Sequence, residues 1–286
     1  MFFISNLLLM VLISALVKKM AEDYPVTQLL VFRYLFAVIP LLGFAIWKLG
    51  MQSLKTTRYL DHGIRSVSGI LGISLFFFAI ALIPIAEATM LSYISPIFVV
   101  ILSIPLLSEK VGLKRWLAVL IGFVGVIIVA QPGSAIFNVG GLVAIASAFF
   151  AAFVVIWLRK LSDTEHPTTI AIYYNGLGAM VFIGWAIFTG WTEVQSTLHW
   201  ILLICIGLVA SFQQFFLAIS FRYGEASLLV PFEYLILIFT AMVGYVYWGE
   251  VPGITSITGA IFIVISGLII LYRTNEKSES TINRLK

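Results

Sequence analysis

The sequence predicts an all-α integral membrane fold, with ten transmembrane helices arranged as two inverted five-helix repeats. Three observations lead there. Of 286 residues, 61% are hydrophobic and only 10% charged, with a mean hydropathy of +1.09, whereas a soluble domain carries about 25% charged residues. The apolar residues form continuous runs of roughly twenty, the length that crosses a ~30 Å hydrocarbon core as a helix, rather than the short alternations of a barrel. Short motifs at the edges of these runs also recur in the second half of the chain.

This composition excludes a soluble enzyme and a disordered chain. It also argues against a nucleic-acid partner, because a net charge of +4 resting on 17 dispersed Lys and Arg residues cannot track a phosphate backbone. The one cysteine, Cys205, lies in an apolar run and supplies neither a disulfide nor a thiolate metal cage.

Taken in order, the runs predict helices over about 2–17, 25–47, 64–83, 88–107, 113–131, 138–158, 168–190, 199–221, 226–248 and 253–272. The first is short, but it lacks a basic n-region and a small-residue cleavage site, so it reads as a span and not a signal peptide. The third carries Gly69 and Gly72. The sixth carries the ridge Ala144, Ala148 and Ala152, with Ser147 and Ala151 beside it. Such small residues predict close helix packing, or room for a central cavity. Pro96 and Pro231 stand inside the fourth and ninth helices, where a kink could act as a hinge. Trp47, Trp116, Trp157, Trp191, Trp200 and Trp248 fall near span ends, where amphipathic rings prefer the interface; Trp185 does not. The hydrophilic stretch Arg273–Lys286 reads as a disordered tail.

The cations predict the orientation. With the N-terminus in the cytoplasm, inner loops and tail collect 14 of the 17 Lys and Arg residues, Arg65 among them; Lys18 and Lys19 are outside, and Arg33 lies within a span. Both termini are therefore expected in the cytoplasm.

The repeat is visible in the motifs. Ala86-Glu87-Ala88-Thr89-Met90-Leu91 is answered by Gly224-Glu225-Ala226-Ser227-Leu228-Leu229, and Ser108-Glu109-Lys110-Val111 by Gly249-Glu250-Val251-Pro252. Gly125-Val126-Ile127-Ile128 is answered by Gly267-Leu268-Ile269-Ile270. The chain divides accordingly into 1–133, 134–275 and a cytoplasmic tail, 276–286. Five helices is an odd number, so the second half enters the membrane inverted, an arrangement that suits secondary transporters. The alternative is a non-transporting membrane enzyme or scaffold. A lipid-modifying enzyme would need paired acidic metal ligands or a His/Cys cluster, and His62, His166 and His199 stand far apart at loops and span ends. There is no G-x-x-x-x-G-K-[ST] loop for ATP, and no cofactor is expected.

Several of these stretches resemble the EamA-type transporters of the drug/metabolite transporter superfamily. They are Pro84–Pro96 (PIAEATMLSYISP), Ser108–Gly112, Arg115–Ala118, Leu229–Leu235 (LVPFEYL), Trp248–Pro252, Gly259 through Gly267, and Phe32-Arg33-Tyr34 at the second span. The resemblance covers essentially the whole chain. It implies ten helices in two EamA repeats, cytoplasmic termini, often a homodimer, and movement of small organic metabolites across a bacterial inner membrane without ATP. The Pro-Phe-Glu-Tyr variety resembles members proposed to carry S-adenosylmethionine, riboflavin or amino-acid-like compounds. Direction and the coupling ion, proton or sodium, stay open.

The candidate site residues are polar groups within spans. Arg33 lies about 12 Å below the outer surface. A cation there costs on the order of 2.5–3.5 kcal/mol, so it should face the bundle interior and have a partner. It reads as a clamp for a substrate carboxylate or other anionic group, a gating counter-charge, or half of a static ion pair. Glu233 lies about 10 Å from the opposite face; it reads as a proton-coupling group, a site for an amine or sulfonium, or a fixed partner of Arg33 or Arg222. Glu87 and Glu225, repeat mates at the mouths of helices four and nine, read as helix caps or as vestibule groups. Glu109 and Glu250 read as structural. The expected lining is Ser92, Tyr93, Ser95, Tyr173, Tyr174, Asn175, Gln213, Gln214 and Tyr234. Asn175 follows Pro167 by eight residues as Arg33 follows Pro25, which makes the two repeat-equivalent. Tyr93 and Tyr234 could hold a cationic head by cation–π attraction; interhelical hydrogen bonds, worth about 0.6 kcal/mol in membranes, are the alternative for each polar group. Together, Arg33 and Glu233 would bracket a small charged or zwitterionic solute.

Overall fold

The structure, a computed structural model, describes residues 2–107, 112–130, 139–162, 164–223 and 235–285. Their regular structure is helical throughout: α1 (Phe2–Met20), α2 (Val26–Phe44, continued by a π-helical turn Ala45–Leu49), a 3₁₀ turn (Met51–Leu54), α3 (Tyr59–Leu82), α4 (Ile85–Ser92), α5 (Ser95–Leu107), α6 (Leu113–Ala130), α7 (Val139–Ser162), α8 (Pro167–Thr189), α9 (Thr197–Tyr223), α10 (Leu235–Trp248) and α11 (Ile254–Leu285). Among the described residues, seven stretches are long and apolar enough to cross a membrane, and α4 with α5 counts as one of them. Trp116–Val129, Leu235–Trp248 and Ile254–Ile269 are shorter apolar helices.

Three expectations change. α3 starts at Tyr59 and not at 64, because Asp61 sits in its first turn, where a carboxylate complements the helix dipole, and ion-pairs with Arg58 at 2.9 Å. Arg65 is therefore a buried helical residue, 6% exposed, and not part of a loop. The expected helix 88–107 is broken at Tyr93 (φ −77°, ψ 8°) and Ile94. Pro96 is the cause: its ring would clash with the carbonyl of Ser92, four residues back, and Ser92 is the last residue of α4. Finally, Arg273–Leu285 continues α11 as helix instead of forming an irregular tail; that stretch has no Gly or Pro to stop it. Pro231 lies outside the described residues.

The helices run alternately between two ends, one marked by Lys18 and the other by Arg58. α1 packs on α9, α3 on α7, α2 on α8 and α9, and α6 on α11. Small residues set the closest approaches. A Cβ on Gly178 would fall 2.4 Å from the Tyr34 ring, and one on Gly259 would fall 2.6 Å from the Gly125 carbonyl oxygen. Ala144, Ala148 and Ala152 are fully buried, and Ser147 donates to the Gly72 carbonyl at 2.8 Å, joining α7 to α3. Leu8, Ile39, Phe123 and Phe188 are among the large apolar side chains left on the outside, where lipid and not water is the natural neighbour. Trp185 is 54% exposed on that surface.

Candidate solute-binding cavity

A cavity of about 320 Å³ lies among α1, α2, α3, α4, α5, α7, α8, α9 and α10, a size that suits a small organic molecule and no macromolecule. Most of its wall is apolar, including Met10, Phe76, Phe77 and Leu217. Polar groups converge on it at the α4/α5 break, where Thr89, Ser92, Tyr93 and Ser95 line it. A discontinuous helix inside a membrane is tolerated where it borders a cavity.

Arg33, Ser92, Tyr93, Ser95, Tyr174, Gln213 and Gln214 from the expected set line the cavity. Arg33 is 3% exposed, with its guanidinium carbon 4.8 Å from the centre of the Tyr34 ring, 5.7 Å from that of Tyr174 and 5.9 Å from that of Phe77. Among the described residues its Nε and Nη1 have no hydrogen-bond partner. The Tyr174 hydroxyl meets that of Tyr34 at 3.2 Å. Gln213 donates to Asn6 Oδ1 at 2.6 Å, tying α9 to α1. Ser92 returns its hydroxyl to the Ala88 carbonyl.

The remaining candidates lie elsewhere. Asn175 is fully buried beside the cavity wall and donates back to the Ala171 carbonyl of its own helix. Tyr173 donates to the Leu54 carbonyl, and its ring lies tilted against His62, 4.5 Å between centroids. Glu87 is 5% exposed between α4 and α11, with Oε1 3.4 Å from the Ser256 hydroxyl. Glu109, Glu225, Glu233 and Tyr234 lie outside the described residues.

Arg65 escaped the sequence reading. It lines the cavity from the second turn of α3, its guanidinium carbon 4.3 Å from the centre of the Tyr174 ring, and its Nε and Nη1 also lack hydrogen-bond partners among the described residues. The signal was present in Arg58 and Asp61, which start the helix one turn earlier than the hydropathy does. No carboxylate lines the cavity among the described residues.

At the Lys18 end the bundle is cross-tied. Lys18 Nζ donates to Glu250 Oε1 at 2.5 Å and to the Ile83 carbonyl at 3.2 Å, and Glu250 Oε2 accepts the Ile85 N–H at 3.1 Å. One carboxylate thus joins α1 to the first N–H of α4. Two glycines make this possible: Gly249, at φ +66°, turns the chain back after α10, and Gly244 leaves space in which a Cβ would stand 3.0 Å from Glu250 Oε2. Nearby, Glu22 hydrogen-bonds Lys19 and accepts from Trp248; the Lys19 bond, with help from Trp248, holds its carboxyl below the usual carboxylate range. Tyr24 bonds His199, and Gln28 bonds Thr192.

The sequence profile of the EamA-like transporter family matches residues 1–131 and 138–272. The chain belongs to that family. As an EamA-like protein it is a multi-pass membrane transporter and not an enzyme. It is 30% identical over 273 residues to the pseudopaline exporter CntI of Pseudomonas aeruginosa (strain UCBPP-PA14), covering 92% of each chain. To the riboflavin transporter of Vibrio cholerae it is 31% identical over 256 residues, covering 89% of this chain and 85% of that one. To the S-adenosylmethionine uptake transporter of Rickettsia prowazekii it is 29% identical over 250 residues, covering 87% and 84%. A crystal structure with 17% identity superposes with a TM-score of 0.66, covering 94% of this chain and 95% of that chain, and shows a shared fold alone.

Proposed function

We propose that this protein is a secondary transporter that carries a small charged or zwitterionic organic metabolite across the cytoplasmic membrane by alternating access, without ATP. One observation carries the reading: a solute-sized cavity, walled by helices from both halves of the chain, gathers its polar groups at a broken helix. The relatives named for transport of riboflavin, S-adenosylmethionine and pseudopaline support a solute of that size class.

The helix pairing supports two inverted halves near 1–133 and 134–275, as do the two stretches matched by the family profile. If α1–α3 correspond to α7–α9, exchange of the halves turns the α1–α9 contact into α7–α3 and returns α2–α8 to itself, and both contacts are present. In this reading the Lys18 end faces outward and is closed by the Lys18–Glu250–Ile85 tie. Arg33, Ser92, Tyr93, Tyr174, Gln213 and Gln214 form the binding wall. Glu233, with Tyr234, supplies the recognition of a cationic group or the proton step, and Asn175, Glu87 and Glu225 support the wall and its vestibule.

The test is exchange in proteoliposomes loaded with a whole-cell metabolite extract and read by mass spectrometry. Saturable exchange of at least one metabolite is expected. Filling the cavity by Ser92→Trp should abolish it while the protein keeps its elution profile; a Ser92→Trp variant that exchanges at the wild-type rate would refute the cavity as the path.

A further inference from the structure

We infer that Arg33 and Arg65 together form an oxyanion subsite, so the transported solute carries a carboxylate or phosphate that docks between them. This rests on the cavity being the solute site, as proposed above.

Both guanidinium groups are more than nine-tenths buried, and both line the cavity. Each has two N–H-bearing nitrogens, Nε and Nη1, without a hydrogen-bond partner among the described residues. Aromatic faces surround them instead: Tyr34, Phe77 and Tyr174 for Arg33, and Tyr174 for Arg65. Ring faces attract a cation but accept no in-plane N–H bond, so the fork that would grip an oxyanion is left unused. The two groups share Tyr174, at 5.7 and 4.3 Å from its centre, which puts them at most about 10 Å apart. Two cations buried this close, with no carboxylate on the described wall, leave a positive field that an anion entering the cavity would neutralise.

Gly69 shows that the arrangement is built. A Cβ there would lie 2.5 Å from Arg65 Nη1 and 2.8 Å from Tyr174 Cε2. The missing side chain makes the notch in which Arg65 and the Tyr174 ring rest together. At the same wall Ser95 and Pro96 open α5, whose N-terminus adds a weaker positive pole.

The test is binding to the purified full-length protein, with succinate and inorganic phosphate as oxyanion probes and putrescine as the cationic control. At ten times its Kd, an oxyanion should raise the apparent Tm by about 2 °C, and putrescine should not. A shift with succinate alone assigns a carboxylate, and one with phosphate alone a phosphate. Arg33→Gln and Arg65→Gln should each weaken binding at least 30-fold, as expected for truncating one partner of a buried charged bond, with Arg65→Lys keeping part of it. A second measurement needs no variant: phenylglyoxal modification of Arg65, followed by peptide mass spectrometry, should slow when the bound probe is present. No oxyanion shift and no protection, or a shift of equal size in the Arg33→Gln/Arg65→Gln protein, would overturn the inference. Exchange in proteoliposomes of a solute lacking both groups would overturn it and leave transport standing. Protection of Arg65 by an oxyanion in a protein that exchanges nothing would overturn the transport reading and leave the subsite.

Discussion

If the Lys18–Glu250–Ile85 tie closes the outer end, weakening it should shift the protein toward an outward-open state by a calculable amount. Glu250→Gln keeps the size of the side chain and an acceptor for the Ile85 N–H, so the loss is confined to the charged contact with Lys18. The two side chains are 13% and 18% exposed, between a solvated surface pair, worth at most about 1 kcal/mol, and a fully buried one. A hydrogen bond to a charged group in such a setting is worth roughly 1.5–3 kcal/mol. Taking about 2 kcal/mol, the open-to-closed ratio should rise roughly 30-fold. The assay places a cysteine at Thr89, which is buried on the cavity wall, in a Cys205→Ser background, and measures labelling by a membrane-impermeant maleimide added from outside. While the closed state dominates, the labelling rate follows that ratio. The charge swap Lys18→Glu/Glu250→Lys restores the ion pair, but neither the bond to the Ile85 N–H nor the one to the Ile83 carbonyl, so it should recover only part of the closure. Equal labelling of Glu250→Gln and the parent protein would refute the tie as a gate and return Glu250 to a purely structural part.

Two further outcomes separate packing from recognition. Gly178→Val places methyl groups where the Tyr34 ring lies, 2.4 Å from the position of the first added carbon; overpacking of this kind costs about 1–3 kcal/mol, so a fall in Tm in detergent is expected, and an unchanged Tm would show that α2 and α8 move apart freely. Gln213→Leu deletes a 2.6 Å hydrogen bond to Asn6, yet such bonds average about 0.6 kcal/mol in membranes; Tm should shift by no more than about 2 °C while the KM for the exchanged solute rises several-fold, and a large Tm loss with unchanged KM would make Gln213 a packing residue.

The spans were legible because bilayer thickness imposes a length on any apolar helix, and each predicted run meets a helix wherever the structure describes it. Features set by a single polar residue were harder to read. Hydropathy averages over a window, so it placed the start of α3 at about 64, five residues late, and left Arg65 at the helix mouth, where a buried cation looks like a loop cation. Pro96 was visible as a hinge, but whether a proline kinks or breaks a helix depends on whether neighbours can satisfy the freed backbone, and here the cavity tolerates the break. The surroundings of Arg33 were illegible for another reason: its neighbours Phe77 and Tyr174 come from α3 and α8, far along the chain. Asn175 shows the converse. Its repeat position suggested a mate for Arg33, but a short amide near its own preceding turn can bond its i−4 carbonyl, and it does.

The proposed repeat also explains why the site is one-sided. With the register shifts of 138 to 142 residues that the motifs display, Gly69 corresponds to Gly207, Tyr174 to Phe32, and Arg65 to Leu203. The contacts follow the same exchange. A Cβ on Gly69 would strike Tyr174, and one on Gly207 would fall 2.5 Å from the backbone oxygen of Phe32 and 2.4 Å from Cβ of Phe36. Both halves therefore build the same notch, in which a helix of one half presses into a glycine of the other. In one notch the residues are Arg65 and Tyr174, beside Arg33; in the other they are Leu203 and two phenylalanines. A pair of symmetric notches suffices for packing, and duplication alone would have produced it. Placing two cations on one copy, where the repeat positions of the other hold the neutral Leu203 and Asn175, adds nothing to packing and costs burial energy, so the asymmetry is best understood as the imprint of a solute that is charged at one end.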